Sequence, residues 1–305
     1  MAMGGLGTQL NRTTEAVNPA SKGIDTKPLG EVLRIISNED KLMVEAVSAQ
    51  LPAIERAVVM VINTIQGGGR VFMVGAGTSG RLCVLEAAEV PPTFGVISGL
   101  FKGVVAGGVP ALSGSVEAAE DDPEAVVAEL RRLGLGSLDL VLGVAASGGT
   151  PYTLGALRYA REVGAATVGL SCNVGSELSR LVDAIIEVVV GPEVVAGSTR
   201  MKAGTAQKMV LNMVTTAAMI RLGRVHDGYM VGVQASNKKL LERSRRILSN
   251  LTGLAPSEVG RVLELAGGDL RVAIVMTLAG VEVDEAREAL EGWVSVREAL
   301  RRLEA

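Results

Sequence analysis

Aromatic side chains are scarce: three Phe, three Tyr and one Trp make up 2% of 305 residues. Single-stranded nucleic acid or a flat cofactor would find no stacking platform on such a chain. Charge of one sign is missing as well. Thirty Lys and Arg stand against 33 Asp and Glu, a net charge of −3, so there is no basic field of the kind that nucleic acid or an acidic membrane requires. The two cysteines, Cys83 and Cys172, have small or apolar neighbours and make neither a zinc spacing nor a disulfide framework, which suits a reducing compartment. Imidazole chemistry would rest on His226 alone, and a lone histidine is more often structural. Hydrophobic residues reach 48% and mean hydropathy is +0.36, yet no run attains the roughly 18 apolar residues of a membrane span. The nearest, residues 94–116, holds Lys102, a proline and many glycines and serines, and reads as buried strand and loop. Residues 1–25 lack a basic-then-apolar leader, so a cytoplasmic protein is expected.

Glycine punctuates the rest. Ser37-Asn38-Glu39-Asp40 reads as a helix start, followed by an amphipathic stretch through Val44, Val47, Leu51, Ile54 and Val58 that Pro52 should kink or divide. From residue 70, short β-branched runs predict strands at 71–74, 138–144, 166–170 and 184–190, with helical segments between them. Continuous apolar strands alternating with helices predict a doubly wound parallel sheet, a flavodoxin-like three-layer α/β/α fold. After about residue 240 only short helical units remain, at 257–265, 269–278 and 283–291. The expected organisation is an N-terminal arm and helix over 1–55, a sheet domain over 56–238 and a small helical, UBA-like module over 239–305.

Two strand-to-helix turns carry the chemistry. Gly75-Ala76-Gly77-Thr78-Ser79-Gly80 is literally the dinucleotide fingerprint, but the acidic residue it needs about 20 positions on, for the ribose, is absent around 97–101. Hydroxyls and free N–H groups at a helix start suit a single phosphate better, and Gly77, Thr78 and Ser79 are its candidate ligands. Ser147, Gly148 and Thr150 form a second turn of the same kind before Pro151. Two such turns at the carboxyl ends of strands point to a sugar phosphate at a switch point of the sheet; the plainer reading makes Ser79 and Thr150 ordinary N-caps. A third segment, 191–208, places Ser198, Arg200 and Lys202 around a helix start, where cations cost a few tenths to about 1 kcal/mol. A compensating anion is expected there, with Ser198 and Lys202 as further phosphate ligands.

At these residues the chain resembles the N-acetylmuramic acid 6-phosphate etherases, lyases built on the sugar isomerase (SIS) fold. The resemblance rests on Thr14-Glu15, Asn18-Pro19, Ile24-Asp25, residues 75–81, Glu89-Val90-Pro91-Pro92-Thr93-Phe94-Gly95, residues 117–121 and 147–152, and above all residues 197–208 with Asn212; it continues through Gln234-Ala235 and Asn237 into the helical tail. The related glucokinase regulatory proteins share several of these motifs on a longer chain with two SIS domains.

The resemblance implies cleavage of the D-lactyl ether of N-acetylmuramic acid 6-phosphate, in the catabolism of cell-wall amino sugars. The products would be N-acetylglucosamine 6-phosphate and D-lactate, formed without a metal or redox cofactor by a homodimer whose site draws on both chains. It also implies that Glu89 and Glu120 are the catalytic carboxylates. Glu89, placed where Val90-Pro91-Pro92 should end a helix, is expected to have a raised pKa and to protonate departing lactate. Glu120 lies in an acidic run that composition alone reads as a solvated face; it either removes the proton on carbon 2 or handles the incoming water. Three departures stand out: Gly149 where many relatives carry Arg, Cys83 for a common Gly and Gly232 for a common Asp. A sugar-phosphate isomerase or a non-catalytic phosphosugar sensor would share the phosphate turns; a pure anion binder gains nothing from nearby carboxylates.

Overall fold

The computed structural model describes residues 13–233 and 238–304. Gln234-Ala235 and Asn237 of the resemblance, and the polar residues before Thr13, lie outside them. Two compact units make up the described residues, 13–87 with 99–214, and 88–98 with 215–233 and 238–304.

The first unit is built on five parallel strands, β1 (Val71–Gly75), β2 (Phe101–Val105), β3 (Leu140–Ala145), β4 (Ala166–Ser171) and β5 (Ala184–Glu187). They are ordered β2-β1-β3-β4-β5. Every residue of β1 and β3 is buried, because helices cover both faces. Phe72, Val74, Val104 and Val141 form one face and pack with Val126, Leu130, Leu154 and Leu157 from the helices Pro123–Arg132 and Pro151–Glu162. On the opposite face at β2 only glycine fits: a Cβ at Gly103 would stand 2.4 Å from the Val84 Cα of the helix Gly77–Phe94. The chain runs from β1 outward to β2 and then returns past β1 to β3, so the connections leaving β1 and β3 diverge in opposite directions. This divergence opens a crevice at their carboxyl ends.

Two local expectations are corrected. The first helix starts at Leu29, not at Ser37: Leu29–Ser48 is continuous, with the Pro28 carbonyl accepting from Glu31 N and Val32 N at 2.8 and 3.1 Å. A Ser-x-x-Asp pattern that mimics a cap is overridden when the residues before it already turn helically and pack. Pro52 does divide the stretch, standing in the first turn of the next helix, Leu51–Gln66, where its missing N–H costs nothing. Second, the helix from Gly77 does not stop at Val90. It passes through Pro91 and Pro92 to Phe94, Thr93 Oγ1 donates to the Glu89 carbonyl at 2.7 Å, and Gly95 at φ +62° ends it. Glu89 therefore stands more than a turn before the helix end, and its side chain is exposed.

At the amino ends of β1 and β3, opposite the crevice, buried Asp139 accepts from Arg70 N (2.8 Å), Arg70 Nη2 (2.8 Å), Arg70 Nε (3.2 Å) and Gly136 N (3.0 Å). Burial by itself would raise this carboxyl; the hydrogen bonds and the Arg70 charge outweigh it and hold the pKa below the ordinary value. A depressed folded pKa gives stability that is complete above the unfolded pKa of about 4 and is lost as pH falls through the folded value. Asp139→Ala is expected to cost about 2–3 kcal/mol at pH 7, and the gap to the parent protein should close between pH 5 and pH 2 in urea unfolding. A gap that is constant with pH would refute the ionic origin of this stability.

In the second unit, a two-stranded ribbon (Val225–His226 with Tyr229–Met230) turns through Asp227 and Gly228, both at positive φ. His226 lies in this ribbon, its Nε2 3.8 Å from Asp227 Oδ2, with burial pushing its pKa down. Helices Lys238–Thr252, Pro256–Leu265, Leu270–Ala279, Val283–Ala289 and Val296–Glu304 close over Leu248, Leu263, Leu270, Ile274 and Val296. Asp269 caps the third of them, accepting from Arg271 N and Val272 N. Gly232 touches backbone directly, since a Cβ there would meet the Phe94 carbonyl oxygen at 2.2 Å.

Candidate active site

A cavity of about 530 Å³ opens at the diverging ends of β1 and β3, a size that suits a small phosphorylated sugar. Its floor is the two glycine-rich turns. In the first, Gly77 takes the left-handed conformation (φ +53°), and Gly80 lets the helix start sit on the strand: a Cβ at Gly80 would lie 2.4 Å from the Gly75 carbonyl oxygen. Gly77, Thr78 and Ser79 all line the cavity. Ser79 is buried, and its hydroxyl donates to Gln207 Oε1 at 2.8 Å; Thr78 is the more open hydroxyl of the two. In the second turn, Ser147 and Thr150 line the cavity, together with Gly149 and Pro151. Gly148 does not; it shapes the turn from beneath, at φ +66° over Ser176 and Ser171.

Thr150 decides between capping and binding. It is the N-cap residue of the helix Pro151–Glu162, yet its side chain makes no capping hydrogen bond, so its hydroxyl faces the cavity uncommitted. Helices of 18 and 12 residues thus begin at one cavity, each offering unpaired N–H groups and the positive end of its dipole. Lys and Arg are absent from the cavity lining among the described residues. Anion binding there would rest on hydroxyls and backbone N–H groups.

Carboxylates form the other walls. Glu120 and Asp121 reach the cavity from a 3₁₀ turn, Ala119–Asp121. Ala118 precedes it at φ +58°, an uncommon conformation for a residue with a Cβ, and Asp122 follows as the cap of Pro123–Arg132, accepting from Glu124 N and Ala125 N at 3.0 Å. Glu15 lines the cavity from the N-terminal arm, and Thr199 from the segment before the helix Lys202–Arg221. Glu15, Asp121 and Thr199 were not singled out as site residues by sequence reasoning. Thr14-Glu15 was visible as a motif, but no spacing argument brings residue 15 beside residue 197.

The remaining candidates lie elsewhere. Glu89 is not among the lining residues. Ser198 adjoins the lining residue Thr199 without lining the cavity itself. Lys202 is 1% exposed and paired with Glu39, Nζ to Oε2 at 2.6 Å. Asn18 Nδ2 donates to the same Glu39 oxygen at 2.7 Å, and although burial pushes the Glu39 carboxyl up, these partners hold its pKa below the ordinary value. Fully buried Glu193 accepts from Lys202 N and Ala203 N at 3.0 and 2.9 Å. The anion expected beside this cationic helix start is therefore supplied by the protein's own Glu193 and Glu39. Cys83 and Cys172 are buried, and burial raises both thiols, Cys172 to about 12; they are inert packing groups.

Comparison with known proteins gives this architecture its family. Residues 127–217 match the SIS domain, and residues 53–161 match the glucokinase regulatory protein N-terminal SIS domain. Relatives named N-acetylmuramic acid 6-phosphate etherase align along nearly the whole chain. The one from Geobacillus thermodenitrificans is 50% identical over 284 residues, 92% of this chain and 96% of its own. That from Rubrobacter xylanophilus is 52% identical over 287 residues, 94% of this chain and 95% of its own, and that from Pectobacterium atrosepticum is 47% identical over 286, 94% and 93%. Such identity over such coverage leaves one conclusion: the chain belongs to the N-acetylmuramic acid 6-phosphate etherase family.

Proposed function

We propose that the protein is a carbon–oxygen lyase that converts N-acetylmuramic acid 6-phosphate and water to N-acetylglucosamine 6-phosphate and D-lactate. The observation that carries this reading is the convergence of two helix N-termini, with an uncommitted N-cap hydroxyl at Thr150, on a cavity whose other wall is Glu120. The phosphate takes the helix ends, Thr78 and Ser147 with Thr150, which leaves the sugar carbons toward the carboxylates. Glu120 removes the proton on carbon 2 of the open-chain aldehyde, whose carbonyl acidifies it. The electron pair forms the carbon 2–carbon 3 double bond, the carbon 3–oxygen bond breaks, and Glu89 protonates the lactate oxygen. Water then adds at carbon 3 and carbon 2 is reprotonated.

Glu89, whose side chain is exposed, serves the cavity of a second copy in a homodimer, as the family resemblance implies. Among the described residues no helix is long and apolar enough to cross a membrane; with a phosphorylated substrate, the enzyme works in the cytoplasm.

The test is D-lactate release from N-acetylmuramic acid 6-phosphate in ¹⁸O-water. Lactate together with label in the sugar is the expected result. Label in lactate instead would mean direct hydrolysis and refute the elimination; absence of lactate would refute the lyase.

A further inference from the structure

Two carboxylates that line the cavity, Glu15 and Asp121, have no part in the elimination. Glu15 lines the cavity from a 3₁₀ turn, Thr13–Glu15, that is fastened on both sides. Thr14 is 1% exposed; its carbonyl accepts from Gly197 N at 3.2 Å and its hydroxyl from Asn173 Nδ2 at 3.2 Å. Four residues on, Asn18 is also buried and ties the arm to Glu39 and to the Pro192 carbonyl. Two buried polar anchors thus flank an exposed acid. The Glu15 carboxylate takes the space above Gly197, where a Cβ would stand 3.2 Å from Oε2, and among the described residues no donor is hydrogen-bonded to it. An unpaired carboxylate on an anchored turn of a cavity wall is an acceptor waiting for a ligand's donor. That donor is not phosphate, a dianion that the carboxylate repels.

We infer that Glu15 is a specificity-determining residue that accepts a hydrogen bond from a neutral donor of the sugar, a hydroxyl or the acetamido N–H. Glu15 thereby separates sugar phosphates from free phosphate at a site whose helix ends would hold either. The inference rests on the sugar-phosphate reading of the cavity and does not depend on turnover.

Binding of inorganic phosphate, glucose 6-phosphate and N-acetylglucosamine 6-phosphate to the full chain, by calorimetry, tests it with Glu15→Ala and Glu15→Gln. Glu15→Ala is expected to weaken N-acetylglucosamine 6-phosphate about 10- to 100-fold, the worth of a charge-assisted hydrogen bond, while phosphate binds as before or tighter. Glu15→Gln, which keeps an acceptor oxygen, should fall between. Weakening of both sugars marks a hydroxyl donor, and weakening of the N-acetyl sugar alone marks the amide. Sugar-phosphate affinity unchanged within about twofold, or equal loss for sugar and free phosphate, would overturn the assignment; equal loss would mark an arm that merely shapes the site. These shifts in the variants, with a wild-type protein that releases no lactate, would sink the lyase reading and leave Glu15 in its role.

Discussion

Glu120→Gln is expected to abolish lactate release, by about 10³-fold or more, while unfolding is unchanged to within about 0.5 kcal/mol. The two halves have separate causes. Positioned proton transfer is worth about 10²–10⁴ in rate, and an amide of the same shape cannot take the proton from carbon 2. Stability should hold because Glu120 is exposed, makes no ion pair among the described residues, and stands beside rather than within the capping contacts of Asp122; substitutions at such places are usually silent. The assignment of roles is open to a sharper measurement. Glu120→Gln should lose solvent exchange of the carbon 2 hydrogen along with lactate release, whereas Glu89→Gln should keep the exchange and lose the release. If each site draws Glu120 from one chain and Glu89 from the other, mixing the two inactive proteins should restore about a quarter of the parent activity, since half the dimers are mixed and each carries one intact site. Absence of recovery after verified subunit exchange would place both carboxylates in one chain.

The sheet was legible because its code is local. Apolar β-branched runs at 71–74 and 166–170, bounded by glycine, admit little but buried parallel strands, and the turns after β1 and β3 advertised themselves through Gly, Ser and Thr. What the sequence concealed depends on pairs far apart in it. Lys202 beside a helix start looks like a ligand for phosphate until Glu39 and Glu193 are seen to satisfy the charge and the helix end. Glu15 looks like part of a polar arm until the Thr14 carbonyl is found on Gly197. Pro91-Pro92 reads as a helix stop because the rule concerns backbone donors; Thr93, one residue on, back-bonds to the Glu89 carbonyl and the helix continues.

Gly148→Ala should cripple the protein from outside the cavity. At φ +66° a side chain is strained by about 1–2 kcal/mol, and here space is short as well. The new Cβ would stand 2.3 Å from Ser176 Oγ, 2.4 Å from Ser176 Cβ and 2.8 Å from Ser171 Oγ. Neither the turn nor Ser171 can yield freely. Gly148 N donates to the Ala145 carbonyl and its own carbonyl accepts from Leu178 N, both at 2.9 Å, while Ser171 Oγ is held by Asn173 N. Strain and overpacking together should cost about 2–4 kcal/mol, read in urea unfolding. Because Ser147 and Thr150 ride on the same turn, kcat/KM should fall by about 10²-fold, the consequence of roughly 1 Å of misplacement. Ser176→Gly removes the two closest contacts and leaves the backbone strain and the Ser171 contact. The double variant Gly148→Ala/Ser176→Gly should therefore recover the Ser176 part of the overpacking loss, a non-additivity expected only for residues in contact. Strictly additive costs would show that the left-handed backbone alone, and not the seat of the turn on Ser176, holds the turn in place.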